Sequence, residues 1–186
     1  MLDHILLFLA ACIILIPFYL LIRRPWRFTG RYGRLREWLL GIFTIFMLGL
    51  LFMTFRGTYA APRQMLESAL ERIETRQDIS FVPLKNLRYM YLYWDRELFI
   101  MNLLGNTLMF IPWGFMRPLL WKKQQGLRRA IFGAIGLTVF IEFVQLFIGR
   151  SVDIDDIILN FAGSMAGSGL YALVSAIFPG IDEIAG

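Results

Sequence analysis

Glu142-Phe-Val-Gln145-Leu-Phe-Ile-Gly149-Arg150-Ser-Val-Asp153-Ile-Asp155-Asp156-Ile-Ile-Leu-Asn160-Phe-Ala-Gly163-Ser-Met-Ala-Gly167 is the stretch whose reading decides the fold. It lies where two long apolar segments, 129–148 and 154–178, meet. It also carries Glu142, Asp153, Asp155 and Asp156, out of 14 acidic residues in the chain, at a place where acids are costly. Further segments of the same kind run over 5–22, 39–55 and 98–120. A helix of roughly eighteen residues rises ~27 Å, close to the ~30 Å hydrocarbon core of a bilayer. In lipid a single segment satisfies its own amides and carbonyls only as a helix.

Composition agrees. Hydrophobic residues make up 58% of the 186 and mean hydropathy is +0.59, against ~45–50% apolar in a typical soluble domain. The expected fold class is all-α. It is an integral membrane helical bundle of about five transmembrane helices plus one amphipathic extracellular helix, with residues 1–186 as a single membrane domain.

The charges orient it. Arg23, Arg24, Arg27, Arg31, Arg34 and Arg36 follow the first segment. Arg117, Lys122, Lys123, Arg128 and Arg129 lie between the third and fourth, with no acid among them. Positive loops stay in the cytoplasm, so the N-terminus is expected outside and the C-terminus inside a plasma membrane. The net charge of +5 and pI of about 9.7 are thereby accounted for, and no nucleic-acid motif accompanies them. Cys12 is the single cysteine, which excludes an intrachain disulfide. Leu9-Ala10-Ala11-Cys12 resembles a lipobox, but Met1–His4 lacks the positive charge of a signal and the apolar run continues past Cys12. A thiol within a span is the expected reading.

The longest connection, 57–97, is nearly neutral. Met65, Leu66, Ala69, Leu70 and Ile73 recur at helical spacing, with Arg63, Glu67, Glu71, Arg72 and Glu74 on the other face, and Pro62 suits a first helical turn. An amphipathic helix lying on the membrane or on the bundle is expected. Tyr89, Tyr91, Tyr93 and Trp94 read as an interfacial aromatic belt.

With this topology the polar residues converge on the outer end. Asn102/Asn106, Glu142/Gln145 and Asp156/Asn160 are pairs at i,i+3 or i,i+4, so each shares a helix face. Arg150, Asp153 and Asp155 stand in the turn between. An intramembrane acid costs about 2.5–3.5 kcal/mol on insertion scales and normally faces a partner. For Glu142 the expected partners are Arg150, or Asn102 and Asn106. No counterpart cluster is visible at the other end. Asp153, Asp155 and Asp156 could hold a divalent cation. Their more ordinary use is to cap the last helix and pair with Arg150. Gly163 and Gly167 form a G-x-x-x-G and predict close helix packing, within one chain or between two. Pro112 should bend the third span.

The only histidine is His4, which leaves no base for serine or cysteine nucleophiles and no Cys/His metal site. If there is a reaction, Glu142 is its acid or base. No cofactor other than a divalent cation is indicated.

Asn102-Leu-Leu-Gly-Asn106-Thr-Leu-Met-Phe110-Ile-Pro112-Trp-Gly114-Phe115, Glu142-Phe-Val-Gln145 and Gly149-Arg150-Ser-Val-Asp153-Ile-Asp155-Asp156-Ile-Ile-Leu-Asn160-Phe-Ala-Gly163 together resemble the VanZ-like family over about 80–178. That resemblance implies a bacterial inner-membrane protein of a family associated with resistance to teicoplanin-type glycopeptides. The expected function is a binding protein with an outward-facing polar site of Asn102, Asn106, Glu142, Gln145, Arg150, Asp153, Asp155, Asp156 and Asn160. Its expected partners are membrane lipids, a lipid-linked cell-wall precursor or a glycopeptide. The alternatives are a carboxylate-dependent intramembrane enzyme and a purely structural scaffold.

Overall fold

The computed structural model describes residues 16, 19, 21, 32–54, 62–76, 78–93 and 96–185. Most of the first expected span, with Cys12 and Pro17, the arginines 23–31 and Trp94 lie outside the described residues. Ile16, Tyr19 and Leu21 are helical, and the Tyr19 hydroxyl donates to the Glu37 carbonyl at 2.8 Å.

The chain then forms α1 (Gly33–Thr54), α2 (Pro62–Thr75), a two-residue strand β1 (Ile79–Ser80), α3 (Lys85–Tyr93), α4 (Arg96–Leu120), α5 (Leu127–Phe147), β2 (Val152–Asp153) and α6 (Ile154–Ile177). Short 3₁₀ turns cover Lys122–Gln124 and Pro179–Ile184. Four of the described helices are long and apolar enough to cross a membrane: Gly33–Thr54, Phe99–Leu120, Leu127–Phe147 and Ile154–Ile177. The all-α membrane bundle is thus the observed architecture. α1 starts six residues before the expected apolar run, so Arg34 and Arg36 are helical rather than loop residues. The connection 57–97 holds the expected amphipathic helix α2, and also α3, whose Lys85-Asn86-Leu87-Arg88 start carries no long apolar stripe to announce it.

α4 and α6 form the central seam, and glycine sets their separation. A Cβ on Gly163 would strike the Thr107 carbonyl, one on Gly167 the Ile111 carbonyl, and one on Gly114 the Ser164 carbonyl. The G-x-x-x-G therefore packs within the chain, backbone on backbone. α4 runs unbroken through Pro112 and Pro118. Pro118 cannot donate to Gly114, and the Ser168 hydroxyl supplies that bond at 3.1 Å.

α1, α4 and α5 meet at Leu50, Phe110 and Ile141. Leu119, Tyr171 and Ile184 pack together toward the other end. Large apolar side chains point outward along the helices, among them Leu108, Phe132, Val139, Phe143, Leu173 and Ile177. A soluble bundle buries such a face; in lipid it is the solvated one.

Candidate functional site

At one end of the bundle, α1 and α5 finish, α4 and α6 begin, and α2, β1 and α3 lie across them. The roof is fastened by Asp155, which is only 1% exposed. Its Oδ2 accepts from the amides of Asn86 and Leu87, both at 3.1 Å, and its Oδ1 accepts from the Leu84 amide. A carboxylate here takes up free amides at the start of α3, where the helix dipole favours negative charge. Leu84 sits at φ 61°, a left-handed conformation costly for a side-chain-bearing residue, and it is held there by that bond. Asp153 caps α6: its Oδ1 accepts from the Asp155 amide at 3.0 Å, while Oδ2 accepts from the Asn86 side chain. Ile79 and Ser80 pair in parallel with Val152 and Asp153, and the Val152 amide donates to the Asp78 carbonyl at 2.9 Å.

Beneath the roof the remaining polar groups interlock. Glu142, in α5, accepts the Asp153 amide on Oε2 at 3.1 Å. Asn106 donates to Asp156 at 2.5 Å and to Asn102 at 2.9 Å, and Asn102 reaches the Met90 sulfur of α3 at 3.6 Å. Gln145 and Arg150 both donate to the Thr54 carbonyl at 3.1 Å, closing the end of α1. Among the described residues, Gln145 Oε1, Asn160 Oδ1 and Ser80 Oγ lie buried at this end without a hydrogen-bond partner. Buried polar atoms are usually paired, so this end retains hydrogen-bonding capacity that the fold does not consume.

The structure brings all nine sequence-derived candidates to this end, but two pairings differ from expectation. Arg150 makes its hydrogen bonds to the carbonyl end of helix α1 rather than to a carboxylate. Glu142 takes its hydrogen bond from a backbone amide rather than from Arg150 or the asparagines, and the Arg150 charge acts on it only through space. The reason is common to both: an arginine stabilises the carbonyl end of a helix, and an acid its amide end. Arg72 repeats the pattern. Sequence periodicity places it on the polar face of α2, yet it is buried and donates to the carbonyls of Leu146, at 3.0 Å, and Arg150. Arg72, Asn86 and the 84–87 backbone were not evident as parts of the site. Among the described residues, no group of three or more histidine, cysteine, aspartate or glutamate side chains is placed to hold a metal ion.

The outer surface of the roof is different in kind. Val82, Pro83, Leu84, Leu92 and the Tyr89–Tyr93 ring pair, with centroids 5.2 Å apart, shape a cavity of about 800 Å³. The exposed Lys85 and Arg88 stand in its wall. The aromatic belt expected here is therefore one side of a groove.

Residues 40–175 match the family model described as VanZ/LLP1. The chain belongs to that family. Every candidate from Asn102 to Asn160 falls within the matched range, as do the roof and most of α1. For this VanZ/LLP1 protein, comparison with curated proteins and with solved structures gives no match.

The opposite end corrects the expectation of a single polar end. Glu37 and Arg117 are buried there. Tyr171 donates to Asp182 at 2.6 Å, Ser175 donates to the same carboxylate at 2.8 Å, and Gln125 donates to the Tyr171 hydroxyl at 2.7 Å.

Proposed function

We propose that the roofed end of this VanZ/LLP1 protein faces outward from a bacterial plasma membrane and binds the headgroup of a cell-envelope lipid. Binding there modulates susceptibility to teicoplanin-type glycopeptides. The observation that carries the reading is the groove on α3. It offers two cations and a tyrosine pair at the end of a membrane bundle, next to large exposed apolar side chains. A phosphate-bearing headgroup meets Lys85 and Arg88 while its isoprenoid or acyl chain lies against the apolar helix faces. The acidic cluster below holds α3 in position through Asp155.

The test uses the purified full chain in nanodiscs with and without a polyprenyl diphosphate. Wild type should bind it, and K85Q/R88Q, which alters only exposed side chains, should bind roughly tenfold more weakly or worse. Expression of the wild type, but not of the double variant, should shift teicoplanin susceptibility. Equal binding by both proteins rejects the reading. A reporter fused after Gly186 should be active only in a cytosolic format, and activity in an extracytoplasmic format would overturn the orientation.

A further inference from the structure

Arg117 presents an anomaly. It is 8% exposed, inside α4, near the end of the bundle opposite the roof. Its Nη2 donates to the Arg129 carbonyl, and its Nε has no partner. Among the described residues no carboxylate pairs with it. Burying a charge without a counter-ion is among the most costly arrangements a protein adopts.

The surroundings are built around this cation. Trp113 lies 5.6 Å from the guanidinium carbon, measured to the ring centroid. Gly133 leaves the space that the guanidinium occupies, since a Cβ there would overlap it. Phe43, Trp113, Trp121, Gln124, Gly133 and Arg117 together bound a cavity of about 400 Å³. Phe43 stacks on Trp113 at 5.8 Å and meets Trp121 edge-on at 5.6 Å, which makes the wall aromatic. Lys122, Lys123, Arg128 and Arg129, all exposed, lie next in the chain to the cavity's lining residue Gln124 and to the start of α5.

The start of helix α5 lies beside the same guanidinium and carries no negative charge of its own. Its N-cap is Gly126, with no side-chain cap, and its first turn holds no acid. The amide end of a helix ordinarily attracts an anion. Here that end is crowded with cations instead. The anion that would balance it is absent from the sequence between Arg117 and Arg129.

We propose that the cavity between α1, α4 and α5 binds the phosphate of an anionic membrane lipid, with Arg117 as the buried counter-ion. The chemistry recognised is a phosphate ester. The aromatic wall and the position at the end of the membrane-crossing helices select a lipid rather than a soluble phosphate. Trp113, Trp121 and Phe43 receive the glycerol and the first carbons of the acyl chains, and the lysines form the rim. Basic pockets between spans are suited to such headgroups. This site lies at the opposite end of the bundle from the groove on α3 and stands independently of that reading.

The experiment places the full chain in nanodiscs of equal parts phosphatidylglycerol and phosphatidylcholine and reads retained lipid by native mass spectrometry. Wild type should retain phosphatidylglycerol in preference to phosphatidylcholine. R117M should lose that preference by roughly tenfold or more, as expected for removing a charged hydrogen-bonding partner. A wild type without preference, or an R117M protein that keeps it, overturns the proposal. A photoactivatable phosphatidylglycerol gives a second reading on the unaltered chain. Labelling concentrated in 113–133 supports the site, and labelling confined to other segments overturns it. Full displacement of the lipid by inorganic phosphate would make the occupant a soluble anion and defeat the lipid assignment.

Discussion

The two ends of the bundle balance their helix termini differently. At the roofed end, carboxylates are matched to backbone amides: Asp155 to the start of α3, Asp153 to the start of α6, and Glu142 to the Asp153 amide. Arginines there close the carbonyl ends of α1 and α5. At the other end Arg36 does likewise for α4, donating twice to the Leu120 carbonyl at 3.3 Å. The start of α5, however, has no acid to match, and Arg117 is left over. Among the described residues, the carboxylates of the roofed end each meet an amide or amide side chain, whereas Arg117 at the other end meets no carboxylate. Helix polarity accounts for most of these placements, and Arg36 adds an ion pair to the buried Glu37 at 3.8 Å.

Changes at the shared seam should damage both ends alike and produce the largest effect. Gly167→Leu drives a side chain into the Ile111 carbonyl, and thermal unfolding in detergent should show a loss of at least about 3 kcal/mol. A normal melting curve would mean the ends are held apart by something other than α4 and α6. Asp155→Asn separates the two ends. It leaves the basic end intact but weakens the clasp on α3, for a loss of about 2–3 kcal/mol. Hydrogen exchange should rise over 84–93 and stay unchanged near Arg117. Uniform exchange increases along the chain would contradict the local role assigned to Asp155.

Arg72→Met tests a single strut of the roof. It should release α2 from the end of α5 at a cost of about 1–2 kcal/mol, seen as faster proteolysis between 62 and 76. Ser168→Ala should cost least, about 1 kcal/mol, because it strips only the bond to the Gly114 carbonyl. An effect as large as that of Gly167→Leu would show that Pro118 strains α4 more than its continuous helix indicates.

Much of this was legible in the chain. Apolar runs marked the spans because lipid imposes a length and forbids unpaired backbone. The G-x-x-x-G marked the seam because only glycine lets carbonyls approach so closely. An aspartate cap at the start of α6 was recognisable because its partner amide lies two residues away, though which of Asp153, Asp155 and Asp156 makes it was not. Contacts at long range were not legible. Asp155 serves Leu84 across 71 residues, and nothing in its own neighbourhood distinguishes it from Asp156. Arg72 occupies a polar position of an amphipathic repeat, so periodicity assigns it to water, whereas its length lets it reach back to Leu146. Arg117 looked like one more cation of a basic loop because the helix that contains it was expected to end in charge, not to bury it.

The Asp155 clasp also sets an order of events during synthesis. Leu84 leaves the ribosome 71 residues before the carboxylate that will hold its amide. At about 5–20 residues per second, that interval is on the order of 4–14 s. Through it α3 has only its contacts with α4 and lacks its carboxylate anchor, and α4 and α5 must enter the membrane ahead of the helix that fastens the roof. Arrival of α6 is the latch: a nascent chain halted before Asp155 would carry its earlier spans and its aromatic groove without the carboxylate that holds the groove in register.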